Sequence, residues 1–269
     1  MTVDQYLINR AAADLPRGGA PTLTHSRPGL RARSAAHAAY KAAEQHVQNV
    51  VAASKYTSDD IAAEVLPDLR AGLTDRLKND LADQFTNPGD GLRRQAERAR
   101  DEADRAAEKY RPRLDPDSTS QLARTDQAWN NTIRPALEDG KGWDQIIPTL
   151  DVDGLLAVER FAPGYEARTR DRFHQHEVPA SLAGIKAMSE RRLPDALPAE
   201  GRAALREHAD TVRALEFIDT VMRWSADATP REAVAVEIGL KRGAFAIGAQ
   251  VPVDTSPEAQ QSYAAGLTA

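Results

Sequence analysis

The chain has 269 residues, more than a typical single domain of about 100–150, so two helical subdomains or one domain with extended arms is expected. Its 35 basic and 40 acidic residues nearly balance, which excludes a global field that attracts nucleic acid or an anionic membrane. The absence of cysteine excludes a disulfide framework and a thiolate metal site.

Alanine dominates the apolar composition. It supplies 48 residues, whereas Leu, Ile, Val and Phe together supply 51. Because alanine is the best helix former and is small, we predict an all-α, multi-helix fold, an elongated bundle of closely packed helices with flexible termini. The first residues lack the pattern of a signal peptide, and no apolar run approaches about 20 residues. We therefore expect a protein that is not secreted and binds no membrane, in the cytoplasm or in a virion.

Proline and glycine clusters divide the chain into four segments. Residues Arg111 to Asp117, with two prolines, cannot continue a helix and mark the boundary between the two halves. The predicted segments are an N-terminal helix with a basic flexible arm (1–29), an alanine-rich helical hairpin or coiled-coil domain (30–112), a helical bundle (118–249) and a C-terminal tail (250–269).

Five cations near the N-terminus occur with no acidic residue between Asp14 and Glu44. They are Arg17, Arg27, Arg31, Arg33 and Lys41. A basic arm of this kind can follow the phosphates of a nucleic acid, or it can dock on an acidic neighbouring subunit. The charge pattern leaves both alternatives open.

A long alanine-rich helix is predicted from Leu30 to about Lys55, and two further helices follow in the first half. Apolar residues recur every four positions from Ile61 to Phe85, interrupted by Pro67, which should kink or divide the helix. The next helix, Gly91 to Arg111, has a heptad seam with alanines at its inner positions. The seam consists of Leu92, Ala96, Ala99, Ala103, Ala106 and Tyr110. It predicts either an intramolecular hairpin with the preceding helix or self-association.

In the second half, Ser118 and Gln121 open a helix, and shorter helices follow between Pro and Gly residues, among them Val152 to Phe161 and Tyr165 to Glu177. A long helix after Pro198 should form the core of this half. Trp129, Trp143 and Trp224 are expected to be core anchors.

The last predicted helix begins at Thr229-Pro230-Arg231-Glu232, which combines an N-cap, a proline at the first helical position and a capping-box glutamate. It should stop near Gly248. The run Ala244 to Gly248 is interpreted as a buried helix end, or alternatively as a surface for tight packing against a partner.

One segment, Phe173-His174-Gln175-His176-Glu177, contains several side chains that could bind a metal ion. A metal-dependent enzyme using His174, His176 and Glu177, with His208 as a further candidate, is one alternative. However, residues two apart on a helix point to nearly opposite sides, so His174 and His176 could bind one metal ion together only in an extended stretch. No nucleophile elbow, phosphate loop or dinucleotide motif is present in the sequence. We therefore predict no catalytic residue, no metal and no cofactor.

The best-supported role is a non-catalytic helical structural or interaction protein. The seam and the termini would engage copies of the chain or a larger assembly, whereas nucleic-acid binding by the basic arm is an alternative. The chain combines flexible arms, a charged helix with an alanine seam and a lack of catalytic signatures. In these features it resembles accessory structural proteins of tailed actinobacterial phages. This resemblance implies a component of the phage particle.

Overall fold

The computed structural model describes residues 5–16, 22, 25–170, 174–226, 228–254, 256–258 and 261. Within these ranges every regular element is a helix, which confirms the all-α prediction. The α-helices are α1 (Gln5–Ala13), α2 (Pro28–Ser54), α3 (Leu66–Thr86), α4 (Leu92–Glu108), α5 (Thr119–Ala128), α6 (Arg134–Glu138), α7 (Trp143–Ile146), α8 (Val152–Thr169), α9 (Val178–Ala196), α10 (Ala199–Ala226) and α11 (Ala233–Ala246). A π-helical turn (Trp129–Ile133) and two 3₁₀ turns (Ile147–Thr149 and Gln175–Glu177) complete the set.

The described residues form two compact units. The first unit joins residues up to 105 to those from 207 onward, and the second holds residues 106–206. The boundary thus falls inside α4 and inside α10, whereas the sequence suggested a boundary at 111–117 and two continuous domains. The later helices α10 and α11 contribute to the first unit because their apolar side chains, such as Ile218 and Leu240, are buried in its core.

The main core of the first unit is built on the alanines of α2. Alanine side chains such as Ala35, Ala39 and Ala43 are buried along this helix, so neighbouring backbones can approach closely. Phe85 from α3 and Ile218 from α10 supply the volume that alanine lacks, and both are fully buried in the same cluster. Close packing of alanine-rich helices around a few large side chains therefore compensates for the scarcity of large apolar residues.

The part of the predicted apolar stripe that follows Pro67 is buried along α3, whereas Ile61 and Val65 precede this helix and are only partly buried. The buried members are Leu69, Leu73, Leu77, Leu81 and Phe85. Pro67 lies in the first turn of α3, where the missing N–H has no intrahelical partner in any case. Pro67 was predicted to kink or divide a helix. It does neither, because α3 begins at Leu66, one residue before it.

A buried histidine in this unit leads to a pH-dependent prediction. His46 on α2 is 4% exposed, and burial lowers its pKa, with the charge of Lys78 acting in the same direction and the backbone at Ser225 and Leu77 opposing it. The folded chain therefore prefers the neutral ring, while the unfolded chain protonates near the ordinary pKa of 6.5. We expect the free energy of unfolding to fall as the pH is lowered from about 7.5 to about 5.5.

Chemical denaturation across this pH range measures the effect. His46→Gln should flatten the profile, leaving the slope due to His25, whose pKa is lowered by burial and by Arg27 and Arg31. An unchanged profile in the variant would contradict the assignment to His46.

The core of the second unit surrounds Trp129, which is buried beside Ile133, Ile146, Val158 and Ile185. The π-helical turn at Trp129–Ile133 ends two residues before Pro135, and such bulges accommodate a local mismatch in the helical hydrogen-bond ladder.

The helix α8 departs from the prediction. Two helices separated near Pro163 were expected, but α8 runs through this proline. The buried residues Val158 and Ala162 pack on the core immediately before Pro163, so tertiary packing outweighs the single hydrogen bond that proline removes.

A buried carboxylate organises the polar interior of the second unit. Glu166 accepts hydrogen bonds from Trp143 Nε1 at 2.9 Å and from Ser181 Oγ at 2.7 Å, and Arg170 lies 3.3 Å away. Burial acts to raise its pKa, but these three donors outweigh burial and hold the pKa of Glu166 below its ordinary value. The carboxylate thereby joins α7, α8 and α9.

Candidate interaction site

The helix α11 is held against the first unit by close contacts at two glycines. A Cβ atom at Gly239 would lie 2.7 Å from Trp224 Cζ3, and one at Gly243 would lie 2.9 Å from Phe217 Cε2. Leu240 is buried in the core on the same helix. These contacts fix the rotation of α11 about its axis, which decides which side chains face solvent.

The C-terminal end of α11 is also fixed. Gly248 has a positive φ of 67°, and the N–H of Ala249 donates to the Ala244 carbonyl at 2.7 Å, as in a Schellman motif. Arg33 Nε donates to the Gly248 carbonyl at 3.0 Å, and His37 Nδ1 lies 2.7 Å from the Ala249 carbonyl oxygen. The helix therefore stops near Gly248, as the sequence indicated, on contacts from α2.

With this rotation, the outer face of α11 is apolar. The side chains of Val234, Ile238 and Phe245 are 69%, 48% and 76% exposed, and Ala235 and Ala246 are exposed beside them. Scattered apolar residues on a surface need no explanation, but three exposed large apolar side chains on one side of a single helix make that side a candidate interaction site. The interpretation of residues 244–248 as a buried helix end was wrong for Phe245, although Ala244 is buried.

Charged side chains border this apolar stripe. Lys241 lies between Ile238 and Phe245 on the same face, and its Nζ is 2.5 Å from Glu237 Oε1. The hydrogen bond and the charge of Glu237 raise the pKa of Lys241, so the ammonium group stays charged. Arg242 is exposed on the other side of the stripe. The face thus combines three exposed large apolar side chains with exposed charged side chains among and beside them, a composition that also occurs in protein–protein contacts.

The alanine seam of α4 is buried within the chain. Ala96, Ala99 and Ala103 are each at most 2% exposed, and Ala96 and Ala99 belong to the core cluster that contains α2 and α10. Leu92 packs against the same cluster. These side chains are covered by the chain itself, so the described part of the seam presents no surface for self-association.

The end of the seam differs from its predicted register. Ala106 is exposed and Ala107 is buried, because the straight helix drifts away from a strict seven-residue repeat. Tyr110 packs over Gly201 in the second unit, and its hydroxyl donates to Glu200 Oε2 at 3.3 Å.

The described residues of the basic arm bind groups within the chain. Arg31 pairs with Glu102 and also donates to the His25 carbonyl at 2.7 Å. Arg33 is bound to the Gly248 carbonyl, and Lys41 lies 2.9 Å from Glu44. Arg27 stands at the start of α2, and Arg17 lies outside the described residues. Arg31, Arg33 and Lys41 therefore lie on a folded helix and have intramolecular partners.

The histidine cluster is dispersed on the surface. His174 and His176 are exposed beside a short 3₁₀ turn, Glu177 binds Arg170 at 2.6 Å, and Phe173 lies outside the described residues. His208 belongs to the first unit, where its Nε2 lies 3.3 Å from Asp104. Among the residues that the structure describes, no three metal-capable side chains come together.

Comparison of the chain with protein-family models, curated proteins and solved structures finds no match. Within the described ranges, no helix has both the length and the apolar character needed to cross a bilayer.

The sequence did contain a signal for the exposed stripe. Val234, Ile238, Lys241 and Phe245 have 4-3-4 spacing, which places them on one side of a helix. The same helix carries a second apolar side formed by Ala233, Leu240 and Ala244, and periodicity does not reveal which side faces the core. Only the contacts at Gly239 and Gly243 decide this.

Proposed function

We propose that the chain is a non-catalytic helical protein that acts by binding other proteins in a larger assembly, with a phage particle as the candidate assembly. The observation that supports this role is the outer face of α11, where Phe245 is the most exposed large apolar side chain among the described residues. Burial of such side chains is the main driving force of protein association.

The rigidity of α11 supports the same proposal. The helix is held by glycine contacts and a defined C-terminal cap, so the apolar stripe is presented without a further ordering step. A preformed surface loses less conformational entropy on binding than a mobile one does. The stripe is therefore suited to a stable interface with another folded protein.

Site-specific photo-cross-linking tests this proposal. A benzoylphenylalanine at position 245 should cross-link to one defined protein in the cell that produces the chain, and Ile238→Asp should abolish that product. The matched control places the same probe at Glu138, an exposed position on α6. The identified protein, once purified, should bind the unmodified chain at least about tenfold more tightly than the Ile238→Asp variant. Equal labelling from both positions would overturn the proposal.

A further inference from the structure

The outer face of α11, defined by Val234, Ile238, Lys241 and Phe245, is self-complementary. When two copies are related by a two-fold axis perpendicular to the helices, complementary side chains of the two faces lie opposite each other. We propose that this face binds the same face of a second copy of the chain, with the two α11 helices antiparallel. This inference rests on the proposed function and names the partner of the same site.

The first argument is the register of the apolar side chains. The four positions occupy about 60° of the helix circumference and about 16 Å of its length. Their midpoint falls between residues 239 and 240. A two-fold axis at this point sets Val234 opposite Phe245 of the second copy, so the smallest apolar side chain meets the largest. It also sets Ile238 opposite Lys241 of the second copy, whose aliphatic stem can cover it.

The second argument is charge complementarity on the rim. Glu237 and Lys241 lie four residues apart on the same flank of the stripe. In the antiparallel arrangement, Glu237 of one copy is level with Lys241 of the other to within one residue, about 1.5 Å along the axis. Two symmetric ion pairs can form. A parallel arrangement would instead set Lys241 beside Lys241, which is unfavourable.

A charge exchange provides the first experiment. Glu237→Lys and Lys241→Glu each give the flank formed by residues 237 and 241 a single sign of charge, so each purified full-length variant should be monomeric in sedimentation equilibrium where the unmodified chain is dimeric. An equimolar mixture of the two variants should recover the dimer, because each lysine then faces a glutamate. Glu138→Lys reverses an exposed charge on α6 and should leave dimerisation unchanged.

Cysteine pairing tests the direction of the helices. The sequence contains no cysteine, so each introduced thiol is the only one in its chain. A mixture of Val234→Cys and Phe245→Cys proteins should give more disulfide-linked dimer on mild oxidation than either protein does by itself. Preferential cross-linking of Val234→Cys to itself would overturn the antiparallel arrangement.

The outcomes separate this inference from the proposed function. A chain that stays monomeric at all concentrations, yet cross-links from position 245 to a different protein, would overturn the second copy as partner and leave the interaction role standing. A dimer that Phe245→Asp does not weaken would also overturn the inference. Failure of both dimerisation and cross-linking would reject the inference and the proposed function together. Circular dichroism of each variant confirms that the helices remain folded.

Discussion

The substitution Ala99→Glu is expected to unfold the first unit. Ala99 is 1% exposed and lies in the core cluster with the alanines of α2 and the apolar side chains of α10. A glutamate there must bury a carboxylate without a partner in a space that fits one methyl group. An uncompensated buried charge costs about 3–5 kcal/mol, which is a large part of the stability of a typical domain.

The control for this prediction lies in the same helix. Ala106 is exposed although the heptad pattern assigned it to the seam, so Ala106→Glu should change the free energy of unfolding by less than about 0.5 kcal/mol. Thermal and urea denaturation, followed by circular dichroism, compare the two variants. Equal stability of the two would contradict the intramolecular burial of the seam.

The substitution Glu166→Leu has the second largest expected effect. The carboxylate of Glu166 is bound by Trp143, Ser181 and Arg170. Leucine leaves Trp143 and Ser181 without this acceptor, whereas Arg170 keeps its ion pair with Glu177. We expect a loss of roughly 3 kcal/mol, at the low end for breaking a buried charged pair, because Arg170 is partly exposed and can be hydrated. Urea denaturation monitored by the fluorescence of the tryptophans measures this loss.

Two further variants separate charge from packing. Glu166→Gln keeps one oxygen acceptor and should lose less stability than Glu166→Leu, whereas Glu159→Leu, at an exposed position of α8, should change stability little. Because the pKa of Glu166 is lowered on folding, its contribution is present above the ordinary value of 4.5 and is lost as the pH falls through the folded pKa. The difference between wild type and Glu166→Gln should therefore shrink in acid.

Much of the fold could be predicted from local signals. The side chain of Ser118 caps α5 by accepting from the Gln121 N–H, as its spacing indicated. The motif at Thr229 did not fix a helix start, however. The Thr229 hydroxyl bonds the Glu232 carboxylate at 3.0 Å, and α11 begins after this turn, at Ala233. A capping pattern shows that a turn is favourable, whereas the helix start depends on where packing against the core begins.

The candidate site was harder to predict than the fold. Trp224 was expected to be a core anchor, but its indole lies over Gly239 and is 44% exposed. The prediction for Trp129 is confirmed, since that side chain is buried at the centre of the second unit. The side chains of both tryptophans are equally apolar. Tertiary contacts between residues distant in sequence separate them, and these contacts have no local signal.

The discontinuous first unit has a consequence for how the chain acquires its structure during synthesis. The alanine surface of α2 is completed by α10 and α11, which follow an intervening segment of about one hundred residues. From the end of α2 at Ser54 to residue 207 the chain adds about 150 residues, so at a synthesis rate of about 5–20 residues per second this surface remains uncovered by α10 for roughly 8–30 seconds. During that interval the nascent chain exposes the apolar side chains of a partly formed core. Packing of α10 and α11 against α2 then covers these side chains and lowers the tendency of the chain to aggregate.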